Sequence, residues 1–298
     1  MKIISICIPC FNEEKNILNT YNEIIKNISQ IENYEFEIIF EDNCSTDSSV
    51  EILRDLASKD KRVKVILNKC NYGAMNNAGY IMFQATGEAV IGMPCDLQTP
   101  FSLIPELIKG WEEGNDVVLA RKIGSDEKGI IYFLRKSYYK IINLISENKE
   151  IENVTGCGLF DSNALALIND LNDPSPNFRY SITELGLKYK LVDYYQKKRT
   201  KGKSSYSLLS YFKQAIQTFA YKSERVSYYL CFFGAVIAGL DVFKFLFRSL
   251  RKNDKLGNAN FLLGIICFIL GIQDLNVYDV KCRLKKRPLV IEKERINF

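Results

Sequence analysis

Residues 3–17 read IISICIPCFNEEKNI, in which a nearly continuous apolar run leads through a short polar turn into a second apolar pattern. The run Ile3–Ile8 is typical of a strand that is buried on both faces of a sheet. After the turn, Ile17, Ile24 and Ile28 recur at helical spacing, which predicts an amphipathic helix. The segment therefore predicts a strand, a turn and a helix, which is the repeating unit of an α/β sheet.

The same alternation continues to residue 120. Four further strands are predicted, at Phe36–Phe40, Val63–Leu67, Ala89–Met93 and Asp116–Ala120. Helical patterns separate them, around Val50–Leu56, Ala74–Ala85 and Leu103–Trp111. Ser45 or Thr46 is expected to cap the first of these helices, and Thr99-Pro100 to cap and open the last. This rhythm predicts a mostly parallel, doubly wound sheet with helices on both faces, whose ligands lie beyond the carboxyl ends of the strands.

Residues 121–206 are less regular. We expect a helix near Ile130–Ile145 and two strands, at Thr155–Phe160 and Leu191–Tyr195. Residues 197–206 read KKRTKGKSSY, a basic loop with small residues. We place the end of the first domain there, so that it spans residues 1–206.

The composition limits the chemistry. The chain has 298 residues, 47% of them hydrophobic, and a net charge of +5, which fits a globular protein and excludes wholesale disorder. The charge is too small to argue for nucleic acid, and we expect no nucleic-acid partner. Because there is no histidine, Ser-His-Asp catalysis, Cys-His catalysis and histidine-bound metals are excluded.

Polar loops follow the ends of the first four strands. They are Pro9–Glu14, Glu41–Asp47, Asn71–Gly73 and Pro94–Gln98. In an open parallel sheet these ends meet at one edge, so we expect the loops to converge on one crevice. None has the GxxxxGK[ST] or GxGxxG pattern, so a phosphate loop or a dinucleotide site is a weak interpretation.

Taken together, these loops resemble glycosyltransferase family 2, whose members have the GT-A fold. The family's opening turn is matched by SICIPCFNEEKNI at 5–17, and its nucleotide-recognition segment, usually written DDGSTD, by EIIFEDNCSTDSS at 37–49. Its region usually written DADLQDP corresponds to Pro94–Pro100. The branch that acts on polyprenyl or dolichyl phosphate is resembled by VTGCGLFD at 154–161, RTKGKSSY at 199–206 and the tail at 271–294. The resemblance covers nearly the whole chain and implies a GT-A glycosyltransferase.

The resemblance implies a site for a nucleotide-diphosphate sugar of UDP or GDP type. The residues that it assigns to this donor are Pro9, Phe11, Glu13, Asp42, Asn71, Gly73, Arg199, Lys201 and Ser204. Asp42 would accept a hydrogen bond from the base, which suits a carboxylate. From the residues alone, Asp42 and Asp47 could instead cap the following helix, and Asn71 and Gly73 could form an ordinary turn.

Asp96 is the residue on which a metal would depend. A carboxylate at this strand end can hold Mg²⁺ or Mn²⁺ against the diphosphate, and Gln98 can add a carbonyl oxygen. The family's usual acids are replaced by Pro94, Asn43 and Thr99. With one carboxylate where the family has two, we expect a weaker metal site.

Arg121 and Arg135 match the arginines that related lipid-phosphate enzymes use for the acceptor phosphate; a guanidinium fork fits phosphate. The implied reaction is an inverting transfer to polyprenyl phosphate, an anionic nucleophile that needs no general base. A first alternative is transfer to a sugar hydroxyl of a lipid-linked or envelope glycan, with Asp161 or Glu184 as the base. A second is a non-catalytic, membrane-associated module that binds nucleotide-sugar or assists a partner enzyme.

The C-terminal third changes character. Two apolar runs, Tyr228–Leu240 and Phe261–Ile272, predict a helical hairpin over residues 226–280. The hairpin could span the membrane, lie in its interface or pack between subunits of a homo-oligomer, or be an ordinary core pair. A juxtamembrane linker helix is expected at 207–225 and a basic cytoplasmic tail at 281–298. We therefore expect an inner-membrane protein with a cytoplasmic active site.

Overall fold

The coordinates are those of a computed structural model, which describes residues 1–125, 151–173, 176–196 and 288–298 and six isolated residues between 266 and 280. The chain divides into two compact units. The first contains Met1–Leu134, Glu150–Ser204 and Lys286–Phe298, and the second contains Arg135–Lys149 and Ser205–Lys285. The helix predicted near 130–145, the basic loop 197–206 and the linker helix 207–225 lie outside the described residues.

Among the described residues, eight strands form one sheet. They are β1 (Lys2–Cys10), β2 (Tyr34–Asp42), β3 (Val63–Asn68), β4 (Ala89–Gly92), β5 (Val117–Ser125), β6 (Val154–Asp161), β7 (Tyr189–Gln196) and β8 (Glu292–Ile296). Their order across the sheet is β7-β5-β6-β4-β1-β2-β3-β8. All seven strands predicted from the sequence are present, whereas β8 was not predicted.

The sheet is mixed. Strands β1 to β4 pair in parallel, as expected of strand–helix alternation, and β5 pairs in parallel with β7. The prediction of a mostly parallel sheet needs correction at two places. Strand β6 runs antiparallel between β4 and β5, and β8 runs antiparallel to β3.

Six helices accompany the strands in the described segments. They are α1 (Ile17–Ile28), α2 (Ser49–Lys59), α3 (Ala74–Phe83), α4 (Ile104–Glu112), α5 (Ser162–Asp170) and α6 (Phe178–Glu184). The predicted caps are wrong. Helix α2 begins at Ser49, whose N–H donates to Asp47, and a 3₁₀ turn at Phe101–Leu103 separates Pro100 from α4.

The sheet has an apolar core on each face. Ile4, Ile6 and Ile8 of β1 face one core together with residues of α1, α2 and α4. Cys7 faces the other core, to which α3, α5 and α6 contribute. Burial of β1 on both sides explains why its sequence is almost continuously apolar. This confirms the prediction of helices on both faces.

Most of the predicted hairpin, residues 226–280, lies outside the described residues. Its six described positions are helical: Ile266, Ile269, Leu270, Gln273, Val277 and Val280. In the segments that the structure describes, no helix is both long enough and apolar enough to cross a bilayer. The described end of the chain is part of the first unit, where β8 extends the sheet beyond β3.

Candidate active site

The loops after β1 and β2 are joined at the carboxyl edge of the sheet. The Asn43 N–H donates to the carbonyl of Cys10 at 2.9 Å. The Asn12 N–H donates to Ser45 Oγ at 2.8 Å, and the Thr46 N–H donates to Asn12 Oδ1 at 2.8 Å. Ser45 therefore stabilises the neighbouring loop instead of capping α2. The predicted meeting of these two loops is confirmed.

Asp42 lies at the end of β2 and is almost completely buried. One carboxylate oxygen, Oδ2, accepts the Ser45 N–H at 2.9 Å. The other, Oδ1, is buried and has no hydrogen-bond partner among the described residues. Burial raises the pKa of Asp42 above its ordinary value, although hydrogen bonds from Ser45 oppose the shift. A buried acceptor without a partner is costly to the fold, so Oδ1 is suited to an N–H group of a ligand.

Asn43 ties the third loop to the second. Its side-chain amide donates to Asn71 Oδ1 at 3.0 Å, and its Oδ1 accepts the Tyr72 N–H at 3.0 Å. An aspartate at this position could accept but could not donate, because an ionised carboxylate has no proton. Asn43 therefore uses the amide to fix the loop. Gly73, which ends this loop, has φ 87°, a conformation that favours glycine.

The acids of the first two loops have local partners. Glu13 Oε2 accepts from Asn16 Nδ2. Asp47 accepts the N–H groups of Ser49 and Glu14, at 3.0 and 3.2 Å. Asp47 therefore stabilises the first loop and the beginning of α2 through its hydrogen bonds, whereas Oδ1 of Asp42 makes no such contact among the described residues. Pro9 and Phe11 are half-buried in the same turn.

Asp96 lies in a tight turn beyond β4. Its Oδ1 accepts the Gln98 N–H at 3.1 Å, and the intervening Leu97 has φ 59°. The carbonyl of Cys95 accepts from Thr20 Oγ1 at 2.9 Å, which fastens the turn to α1. Asp96 and Gln98 are half-buried. The turn therefore holds Asp96 and Gln98 at the carboxyl edge, where Gln98 Oε1 accepts from Gln196 Nε2 at 3.4 Å.

Arg121 lies at the same edge, on β5, and is already paired. Its Nε donates to Asp193 Oδ1 at 2.6 Å, and its second nitrogen donates to Asp193 Oδ2 at 2.9 Å. This hydrogen bonding raises the pKa of Arg121 and lowers that of Asp193. Both side chains are about two-fifths exposed. Arg121 was predicted from the sequence, whereas Asp193 was not, because its pairing depends on the register of β5 and β7.

The two residues proposed as a general base lie at the opposite edge. Asp161 pairs with Ala89, at the beginning of β4, whereas Asp96 follows the end of that strand. Its carboxylate accepts from Trp111 Nε1 at 2.9 Å and caps α5. Glu184 is exposed and ends α6, just before Lys188, whose N–H donates to Asp116 at the beginning of β5. Both residues therefore lie away from Asp96, and the assignment of a base to either of them stays a prediction.

Sequence reasoning also missed a buried polar cluster behind the third loop. Asn68 Nδ2 donates to Glu41 Oε1 at 2.7 Å and to Asn77 Oδ1 at 2.9 Å, and it lies 3.4 Å from Asn43 Oδ1. Burial raises the pKa of Glu41 to about 8. The sequence signal for this cluster was Glu41, an acid within the mostly apolar strand segment FEIIFED.

The remaining predicted site residues, Arg135, Arg199, Lys201 and Ser204, lie outside the described residues. In the described part of the chain, no group of three or more Cys, Asp or Glu side chains could hold a metal ion.

Comparison with known proteins decides the family. Residues 5–167 match the family model described as "Glycosyl transferase family 2". The chain belongs to glycosyltransferase family 2. It is 30% identical to the putative glycosyltransferase CsbB of Bacillus subtilis (strain 168), over 98% of this chain and 92% of that protein. It is 29% identical to the prophage bactoprenol glucosyl transferase homolog of Escherichia coli (strain K12), over 92% and 90%.

A solved structure supports the fold. The mannosyltransferase PcManGT from Pyrobaculum calidifontis, in complex with GDP-Man and Mn²⁺, has a TM-score of 0.50 and 11% identity, over 95% of this chain and 73% of that chain. The family and the fold together establish that the chain is a glycosyltransferase with a GT-A-like α/β fold, as the sequence predicted.

Proposed function

We propose that this glycosyltransferase moves a sugar, with inversion, from a UDP- or GDP-type sugar to polyprenyl phosphate. The observation that carries the proposal is the buried, unpartnered Oδ1 of Asp42, which lies at the same sheet edge as Asp96 and Arg121. The names of relatives, several of which are bactoprenol glucosyl transferases, support the acceptor.

The donor base binds at Asp42. Its Oδ1 accepts an N–H of the base, while Oδ2 stays bonded to Ser45. Pro9 and Phe11 flank the base, and Asn71 and Gly73 approach the nucleotide from the third loop. The basic residues Arg199 and Lys201, with Ser204, are assigned to the diphosphate.

Asp96 and Gln98 fit a divalent cation that is bound mainly by the donor diphosphate and water. Hard oxygen ligands suit Mg²⁺ or Mn²⁺, and Mg²⁺ usually keeps several waters. When bound, such a cation offsets the negative charge that develops on the departing nucleotide. With Pro94 in place of the first acid, we expect weaker binding than in a site with two carboxylates.

The acceptor phosphate binds at Arg121, with Arg135 as the second cation. Because the Arg121–Asp193 pair is exposed, replacing that carboxylate by phosphate costs little. An oxygen of the acceptor phosphate forms a bond to the anomeric carbon, and the bond from that carbon to the donor's diphosphate breaks. The electron pair leaves with the nucleoside diphosphate. No base is required, which agrees with the positions of Asp161 and Glu184.

The acceptor requires a membrane. We propose that the segment 226–280 holds the active site at the cytoplasmic face of the inner membrane, because a polyprenyl chain stays in the bilayer. Its apolar runs are the support for this proposal. The alternatives of an interfacial hairpin and of packing between subunits differ in how the site is held, but not in the reaction.

The test is product formation. Membranes that contain the full chain are incubated with a panel of nucleotide-sugars and polyprenyl phosphate, and lipid products are identified by mass spectrometry. We expect one donor to give a polyprenyl-phosphate sugar, and Asp96→Ala membranes to give none. Product only on a glycan hydroxyl would contradict the proposed acceptor. No product with any donor, alongside retained nucleotide binding, would support a non-catalytic module.

A further inference from the structure

The last strand of the described chain packs against the nucleotide half of the sheet. β8 pairs with β3 in an antiparallel register that runs from Val65–Ile296 to Asn68–Glu292. The pairing continues past the strand end, where the Lys69 N–H donates to the carbonyl of Ile291 at 3.0 Å. The tail therefore reaches the first residue of the segment that leads into the Asn71–Gly73 loop.

Side chains fasten β8 at its far end. Asn297 Nδ2 donates to the carbonyls of Ala57 and Val63, at 2.7 and 2.9 Å. Glu294 accepts hydrogen bonds from both terminal nitrogens of Arg54 on α2. These contacts hold the tail against α2 and β3, independently of the third loop.

Glu292 connects the tail to α3. Its Oε1 accepts the Tyr80 hydroxyl at 2.7 Å, and its carboxylate accepts the Arg295 guanidinium at 2.6 and 2.7 Å. Burial opposes ionisation of Glu292, but the hydrogen bonds from Arg295 and Tyr80 lower its pKa. Arg295 also donates to Gln84, at the C-terminal end of α3.

The third loop is thus held at both ends by the tail. Lys69 precedes it and is bonded to Ile291, and Tyr80 follows it on α3 and is bonded to Glu292. On its inner side it is held by Asn43, through Asn71 and Tyr72. Two of the contacts on its flanks, at Lys69 and Tyr80, therefore come from a strand more than 200 residues away in the chain.

We propose that β8 is a positioning element of the donor site, in which Glu292, through Tyr80, holds the Asn71–Gly73 loop in its nucleotide-binding conformation. This inference rests on the proposed role of that loop. It also means that residues 1–206 do not form a complete donor site, because the segment 286–298 belongs to the same unit. Donor affinity would then depend on residues that do not touch the donor.

The test uses point variants of the full chain. Tyr80→Phe removes only the hydroxyl that donates to Glu292, and Glu292→Met removes both carboxylate oxygens at nearly the same side-chain length. Lys293→Ala is the matched control, because Lys293 is exposed on the same strand. Binding of UDP and GDP is measured by calorimetry, and kcat and both KM values are measured with the donor identified in the product assay.

We expect Tyr80→Phe and Glu292→Met each to weaken binding of the nucleotide and raise the donor KM by about three- to tenfold, since residues that touch no ligand change coupling by amounts of this order. The double variant should weaken binding no more than about as much as one single variant, since both break one contact. In these variants, kcat at saturating donor and the acceptor KM should stay within about twofold of wild type, since neither constant depends on a contact to this loop. All constants of the Lys293→Ala variant should also stay within about twofold of wild type.

Three outcomes overturn the inference in different ways. If the wild-type chain binds UDP or GDP, and the two single variants and the double variant bind it equally well, the tail does not position the loop and only this inference fails. If the wild-type chain binds neither nucleotide, the proposed function fails together with it. A fall in kcat with unchanged nucleotide affinity also overturns the inference, because a loop restraint acts on binding.

Discussion

Asp42→Asn tests the nucleotide site at one atom. In the wild-type chain, Oδ2 is bonded to Ser45 and Oδ1 is buried without a partner. Asparagine keeps the shape and one oxygen. If that oxygen retains the Ser45 contact, the amide nitrogen takes the position of Oδ1. An N–H group of the side chain then faces the N–H of the nucleotide base, and no hydrogen bond forms between two such groups.

The magnitude follows from the charge of this acceptor. A hydrogen bond to a charged group contributes about 1.5–3 kcal/mol, which corresponds to roughly 10- to 150-fold in Kd. We therefore expect Asp42→Asn to weaken nucleotide binding by at least about tenfold. The rate at saturating donor should change less, because the base is remote from the anomeric carbon.

The assay is calorimetric titration of the full chain with UDP and with GDP. Asp47→Asn is the matched control, since Asp47 is an acid of the same loop that braces Ser49 and Glu14. It should lower thermal stability and leave nucleotide affinity nearly unchanged. Unchanged affinity in Asp42→Asn, or an equal loss in Asp47→Asn, would refute the assignment of Asp42 to the base.

Three further perturbations test other parts of the site. Asp96→Ala should lower turnover by at least ~10²-fold and Gln98→Ala by less, because charge stabilisation of the leaving group is among the largest catalytic effects; full activity of Asp96→Ala, or of the wild type in EDTA, would contradict the metal role. Arg121→Ala should raise the acceptor KM and spare nucleotide binding, whereas Asp193→Asn, which releases Arg121, should lower the acceptor KM. Both constants are measured by steady-state kinetics. If Arg121→Ala instead weakens nucleotide binding and leaves the acceptor KM unchanged, Arg121 binds the donor and not the acceptor. Burial raises the pKa of Glu41 from 4.5 to about 8, so the native state keeps a proton that the unfolded chain loses, and stability should fall as the pH rises through that window by up to ~1.4 kcal/mol per pH unit. Glu41→Gln should flatten this slope in urea titrations at several pH values, and an unchanged slope would contradict it.

The parallel part of the fold was predictable because its strands carry their own signal. Ile3–Ile8 is buried on both faces, so its apolar run follows directly from its position. β8 gives no such signal, because four of the five residues in EKERI are charged and half-buried side chains alternate with exposed ones at the sheet edge. Its pairing with β3 depends on contacts with residues far away in the chain, such as Arg54 and Tyr80.

The placement of Asp42 and Asp96 at the carboxyl edge was predictable. Asp42 and Asp96 stand at strand ends, and the sheet topology brings such ends to one edge. Asp161 lies away from these strand ends, because β6 runs antiparallel to β4. The antiparallel direction of β6 takes its last residue to the other edge. Side-chain pairs such as Arg121–Asp193 depend on the register of β5 against β7, and a single sequence does not specify that register.

The central claim is an inverting transfer to a phosphate oxygen, and the linkage in the isolated lipid product tests it most directly. NMR of the product from the full chain, its donor and polyprenyl phosphate gives the anomeric configuration and any coupling between the anomeric proton and phosphorus. The account predicts a phosphodiester whose anomeric configuration is opposite to that of the donor. A product with the donor's own configuration, or one without coupling to phosphorus, would contradict it.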